Sequence, residues 1–218
     1  MKIKAVFFDM DGTLVNSMED LAVATNYALK KQGYEERPIK DYGYFAGSGV
    51  YVMIERALAP NMVSDEELHE IRNDFFAYYQ KNSTVHTKVY DGVKALVKEL
   101  KENGIYVCCV TNKVESIAKD IINYFFGGMD KVAGQVDSLP TKPDPTRTLA
   151  TMKELEIRPE ECLFVGDSAV DIETAKNSGA VPLGVLWGFR TEKELREAGA
   201  RYIVEKAEEI LEVVKNHE

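Results

Sequence analysis

The chain has 218 residues, a net charge of −9, and is 45% hydrophobic and 29% charged. At roughly 150 residues per domain that makes one domain with an insertion or two modest ones, with enough apolar content for a sizeable core. The acidic balance argues against general binding to nucleic acid or an anionic membrane, and no apolar stretch approaches the ~20 residues that span a bilayer. Three cysteines, Cys108, Cys109 and Cys162, lie in apolar runs without C-x-x-C spacing. Buried free thiols are expected, not a disulfide framework or a thiolate zinc site. The opening MKIKAVFFDMDG holds too short an apolar run for a signal peptide, so a cytoplasmic protein is expected.

In chain order, Ala5–Phe8 is a short continuous apolar run, the pattern of a strand buried on both faces. Three helical patterns follow. Leu21, Ala24 and Ala28 mark the first, and Val50, Met53, Ile54 and Ala57 the second. The third opens at the capping box Ser64-x-x-Glu67 and runs through Leu68, Ile71, Phe75 and Tyr79. Ser48, before the second pattern, is either an N-cap or a substrate contact. Tyr42, Tyr44 and Phe45 either line a pocket or pack a domain boundary. An all-helical block of ~70 residues is too long for a crossover connection and reads as an inserted domain.

Beyond it, Val93, Leu96, Val97 and Leu100 share one helical face, as do Ala207, Ile210, Leu211 and Val214. Between them lie apolar runs at Ile105–Val110, Cys162–Val165 and Val181–Leu186, with shorter ones at Lys131–Ala133 and Tyr202–Val204. Gly33, Gly104, Gly179 and Gly199 each follow a segment with a basic residue in its last turn, the signature of a left-handed helix end. Thr191-x-x-Glu194 reads as a capping box. The alternation predicts an α/β fold: a Rossmann-like three-layer core with a mainly parallel sheet, plus an inserted all-helical cap domain. The core takes residues 1–15 and 87–218, the cap 16–86.

Ligands of open parallel sheets bind beyond the carboxyl ends of the strands. Asp9-Met10-Asp11-Gly12-Thr13 follows the first run, Thr111-Asn112 the second, and Gly166-Asp167-Ser168, with Asp171 a turn on, the run at Cys162. Lys142-Pro143 lies in the polar loop between. Asp9, Asp11, Asp167 and Asp171 gathered at one edge would repel strongly, so a divalent cation is expected. Oxygen-only ligands favour Mg²⁺ over zinc.

These four segments resemble, in order, the four motifs of the haloacid dehalogenase-like superfamily, and the helical insert resembles its C1-type cap. Within the superfamily the likeness is closest to phosphoglycolate phosphatases, through Asn16-Ser17-x-x-Asp20-Leu21, Ala46-Gly47-Ser48-Gly49, Thr111-Asn112-Lys113 and Trp187-Gly188. The resemblance implies a phosphoric monoester hydrolase acting through an aspartyl-phosphate. Asp9 would be the nucleophile, and Asp11 would protonate the leaving oxygen and later deprotonate water. Thr111, Asn112 and Lys142 would hold the phosphoryl group, with Lys142 also restraining Asp9. Mg²⁺ would sit on the Asp9 carboxylate, the Asp11 carbonyl and the Asp167 carboxylate, with Asp171 orienting those ligands. Lys113 reads as a surface lysine.

The expected substrate is a small phosphorylated metabolite, 2-phosphoglycolate first, with no nucleic-acid or membrane partner, and the chain a monomer or homodimer. Alternatives are a small-sugar phosphomutase, a pyrophosphatase or nucleotidase of the same superfamily, and a phosphate-ligand sensor. The mutase reading is the weaker, because no histidine follows Asp11 before His69. A dehalogenase would lack the carboxylate that Asp11 supplies.

Overall fold

The computed structural model of the chain describes residues 2–217. Strand β1 (Ala5–Phe8) leads through a two-residue strand, β2 (Val15–Asn16), into four helices. These are α1 (Met18–Lys31), α2 (Tyr42–Phe45), α3 (Val50–Leu58) and α4 (Asp65–Asn82). The chain leaves them through β3 (Lys88–Val89), which pairs antiparallel with β2. Helix and strand then alternate: α5 (Val93–Glu102), β4 (Tyr106–Val114), α6 (Glu115–Phe126), β5 (Lys131–Gln135), α7 (Thr146–Glu154) and β6 (Cys162–Gly166). The alternation ends with α8 (Ala169–Ser178), β7 (Val181–Val185), α9 (Glu192–Ala198), β8 (Tyr202–Val204) and α10 (Ala207–Asn216).

Six strands form one parallel sheet in the order β5-β4-β1-β6-β7-β8. Successive side chains of a strand point to opposite faces, and here both faces are covered. Val6, Phe8, Val107, Cys109, Leu163 and Val165 pack on the side that receives the apolar stripes of α5 and α10. Ala5, Phe7, Cys108, Val110, Cys162 and Phe164 pack on the other, with Met152 of α7 and Ala175 of α8. That two-sided burial is why the strands read as unbroken apolar runs. All three cysteines are buried and free, and burial pushes the Cys108 thiol up to about 12. No helix among the described residues is long and apolar enough to cross a membrane.

The four helix-ending glycines all have positive φ, from 71° to 101°, and the Ser64–Glu67 box is complete. Several details depart from the sequence reading. The β2–β3 ribbon and the four-residue α2 are too short to leave a periodic signal. Strand β4 runs on to Val114 instead of ending at Val110. Its pairing with β5 shifts register between the two, so the polar residues 111–113 end the apolar run but not the strand. Such irregularities re-aim side chains. Gly49, not Ser48, is the N-cap of α3. Thr191 accepts from Glu194 N, but the Glu194 carboxylate turns to Ala169 N (3.4 Å) and Arg190 (3.6 Å).

The helical block is fastened to the sheet domain at both sides. Asp20 of α1, 3% exposed, accepts from His86 N (2.9 Å), Thr87 N (2.8 Å) and Thr87 Oγ1 (2.7 Å). Arg190, after β7, donates to the carbonyls of Gly43 and Ala46. Asp20→Ala strands the buried Thr87 donors and is expected to cost about 2–4 kcal/mol, hydrogen bonds to charged groups being worth ~1.5–3 kcal/mol each. Urea unfolding measures it, and an unchanged midpoint would show that the carboxylate does not hold the junction.

Candidate active site

Strand order reverses at β1, which has β4 on one side and β6 on the other, and such a reversal opens a crevice beyond the carboxyl ends. Asp9 is the first residue past β1, and its N–H donates to Val165 O of β6 (2.9 Å). The Lys142 ammonium, 4% exposed, lies 2.8 Å from Asp9 Oδ1 and 2.6 Å from Asp171 Oδ1. The other Asp171 oxygen takes Ser168 N (3.1 Å) and Ser168 Oγ (2.7 Å). Asp171 therefore caps α8 and grips Lys142 at once. Asp167 accepts from Phe189 N (2.7 Å) and Thr13 Oγ1 (3.3 Å). Gly12, at φ +91°, lets the turn after β1 press against it: a Cβ there would stand 2.3 Å from Asp167 Oδ2.

Two buried carboxylates thus share one ammonium, and a third, Asp167, lies in the same cluster. One oxygen from each of Asp9, Asp167 and Asp171 falls within a 4.8 Å span. Asp9 is raised to about 6, by burial above all and by the Asp171 charge, against the opposing pull of Lys142. Asp167 is held well above the usual carboxylate range by burial, then by repulsion from Asp171 and Asp9. Burial works against the charge on Lys142, but Asp171 and Asp9 overcome it and keep the ammonium protonated. Uncompensated negative charge on oxygen donors alone fits a hard divalent cation. This triad can hold a metal.

Asp11 stands apart from the triad. Its carboxylate accepts from Ser17 Oγ (2.5 Å) and from Lys113 Nζ, 2.9 Å from each oxygen. The expectation that four carboxylates gather is corrected to three plus one. Lys113 is also corrected: it is 8% exposed, not a surface lysine, because β4 carries it inward. Arg147 of α7 had no sequence signal. It is buried, and its guanidinium donates to Thr111 O (2.6 Å) and Asn112 Oδ1 (2.7 Å). Asn112 Oδ1 also accepts from Lys142 N (2.7 Å), while Nδ2 donates to Lys142 O (3.1 Å). The Asn112 carboxamide, expected on a phosphoryl oxygen, is instead spent joining β4 to the Lys142 loop.

Asp9, Asp11, Thr111, Asn112 and Lys113 border a cavity of about 40 Å³, counted as room for the centre of a water-sized sphere. One water needs ~10–15 Å³ on that measure, so the space suits a short ligand. Tyr42 is buried and donates to Asn26 Oδ1 (2.7 Å), Phe45 packs beside it, and Tyr44 is 76% exposed. None of the three lines this cavity.

A family model for haloacid dehalogenase-like hydrolases matches residues 3–179, and the chain belongs to that family. It is an enzyme of the hydrolase class. Among its relatives is a phosphoglycolate phosphatase of Nitrosospira multiformis, 31% identical over 225 residues covering 99% of this chain and 97% of the relative. Another, from Aquifex aeolicus, is 30% identical over 217 residues covering 99% and 98%. The crystal structure of a candidate phosphoglycolate phosphatase from Lactobacillus delbrueckii subsp. bulgaricus superposes with a TM-score of 0.91 at 32% identity, over 98% of this chain and 99% of that one.

Proposed function

We propose that this enzyme hydrolyses a small phosphate monoester, with 2-phosphoglycolate the leading candidate, through an aspartyl-phosphate on Asp9. It is a phosphoric monoester hydrolase, and the observation that supports the mechanism is that Asp9, held by buried Lys142, and Asp11, held separately by Lys113, border the same cavity. In the first step an Asp9 oxygen attacks phosphorus, the phosphorus–leaving-oxygen bond breaks, and the Asp11 carboxyl gives its proton to the leaving oxygen. In the second, water attacks phosphorus, the Asp9–phosphorus bond breaks, and Asp11 takes the water's proton. Lys142 stays charged throughout, so it offers positive charge to the phosphoryl group and fixes Asp9. Thr111, braced by Arg147, supplies a hydroxyl to the phosphoryl oxygens. Asp9, Asp167 and the Asp11 carbonyl would hold Mg²⁺, with Asp171 anchoring the arrangement; when bound, the ion neutralises charge between the nucleophile and the phosphate dianion. Residues 16–86 act as the cap over a core of 1–15 and 87–218, excluding bulky esters. The cytoplasm suits both the free thiols and the substrate.

The test is phosphate release from 2-phosphoglycolate beside sugar phosphates, nucleotides and pyrophosphate, each with Mg²⁺ and with EDTA. Selective, EDTA-sensitive release from 2-phosphoglycolate is expected. Isomerised sugar phosphate without release would favour a mutase instead.

Metal binding also has a pH signature. Raised carboxylate pKa values mean that the metal-free fold holds more protons than the unfolded chain, so its stability falls as pH rises from the unfolded value near ~4 through about 6. Mg²⁺ needs these carboxylates ionised. Its stabilisation should therefore be larger at about pH 7.5 than at about pH 5. Thermal melts with and without Mg²⁺ check this, and a Tm rise that is equal or larger in acid would contradict it.

A further inference from the structure

The cap contributes apolar side chains to the cavity roof, Leu21, Val50, Met53, Phe75 and Phe76, and one side-chain hydroxyl, that of Tyr79. Tyr79 is 1% exposed and stacked on Phe75 at 5.1 Å; the Lys113 ammonium, a donor, lies against its hydroxyl, which has no acceptor for its own proton among the described residues. A buried hydroxyl without an acceptor normally costs stability, so one that borders a cavity is a ready site for a ligand. The one ammonium among the side chains bordering the cavity is Lys113, whose Nζ lies 4.8 Å from the centroid of the Tyr79 ring. Lys113 also touches both oxygens of Asp11, the carboxyl that meets the leaving oxygen. Whatever is bonded to that oxygen therefore emerges beside Lys113 and beneath Tyr79.

We propose that Tyr79 and Lys113 form the specificity site for the leaving group, selecting a short one that carries a carboxylate on the carbon next to the leaving oxygen. This rests on the phosphatase reading above. In a 2-phosphorylated hydroxy acid the carboxylate is two bonds from the leaving oxygen. It comes within reach of Lys113 Nζ without moving the phosphoryl group from Asp9. The Tyr79 hydroxyl then donates to the carboxylate and gains the acceptor it lacks, while the apolar roof offers nothing to a longer polar chain. A leaving group with no carboxylate leaves the hydroxyl without an acceptor, and unsatisfied polar groups are what let a site reject an analogue.

The test compares kcat/KM for 2-phosphoglycolate and for ethyl phosphate, which has the same length and no carboxylate, in the wild type and in Tyr79→Phe. The substitution should narrow the preference for 2-phosphoglycolate by about tenfold or more, chiefly through KM, the scale of one hydrogen bond to a charged group. In the ligand-free protein it should hold or raise Tm, because it deletes a donor without an acceptor. Lys113→Met should narrow the same preference further while also slowing both esters, since it releases Asp11. Equal losses on the two esters in Tyr79→Phe would overturn the proposal. So would a wild type that hydrolyses ethyl phosphate as well as 2-phosphoglycolate, which leaves the phosphatase reading standing. A wild type that hydrolyses neither, while carrying Mg²⁺, overturns both.

Discussion

Asp9→Asn is expected to lower turnover by about 10⁴-fold or more while leaving the protein folded. Loss of a nucleophile in other hydrolases falls in the ~10⁴–10⁶ range, because the residual rate comes only from binding and electrostatic groups. The amide keeps the shape of the carboxylate and can still accept from Lys142. It also removes one of three clustered buried carboxylates, whose repulsion is visible in the upward push of Asp171 on Asp9 and of Asp171 and Asp9 on Asp167. Stability without metal should hold or rise even as activity disappears. Phosphate release and thermal melts on the same preparation separate the two effects. Loss of activity together with loss of fold would assign Asp9 a structural role instead.

Lys142→Met is the second large effect, with the opposite balance. The ammonium lies between Asp9 and Asp171 at 2.8 Å and 2.6 Å, almost wholly out of water. Removing one partner of a buried ion pair typically costs ~3–5 kcal/mol, because a charge is left uncompensated. Here two carboxylates lose their shared cation and a third lies within the same cluster. A destabilisation of about 3–5 kcal/mol without metal is expected, with part of it recovered when Mg²⁺ is added. Turnover should fall by about 10²–10³, the scale of losing one preorganised group that stabilises charge in the transition state. Urea titrations with and without Mg²⁺ check the first part, and kcat the second. Unchanged stability together with turnover within about threefold of wild type would show that Lys142 is a bystander.

The residues that could be read from sequence are those whose environment is local. Ala5–Phe8 and Cys162–Val165 announce themselves because a strand buried on both faces has no polar position to interrupt it. Asp9, Thr111 and Asp167 follow because polar residues just past such apolar runs point to a crevice, and Lys142 follows from its resemblance to a family motif. Arg147 and Lys113 were hidden for the opposite reason. Their partners lie 36 and 102 residues away, so no window of sequence distinguishes a buried clamp from a solvated side chain. Asn112 was legible as a site residue but not in its role, since that depends on how the Lys142 loop folds back onto β4. Tyr79 was legible as a core position on the apolar stripe of α4. Its hydroxyl without an acceptor and the cation beside it emerge only when helix and sheet are brought together.

The measurement closest to the central claim is a rapid-quench experiment with substrate and Mg²⁺, followed by mass spectrometry of the peptide that contains Asp9. A phosphoryl adduct is expected on Asp9 at short times, decaying as free phosphate accumulates and missing from Asp9→Asn. Phosphate released with no adduct at any time, or an adduct on another residue, would contradict the assignment of Asp9 as nucleophile.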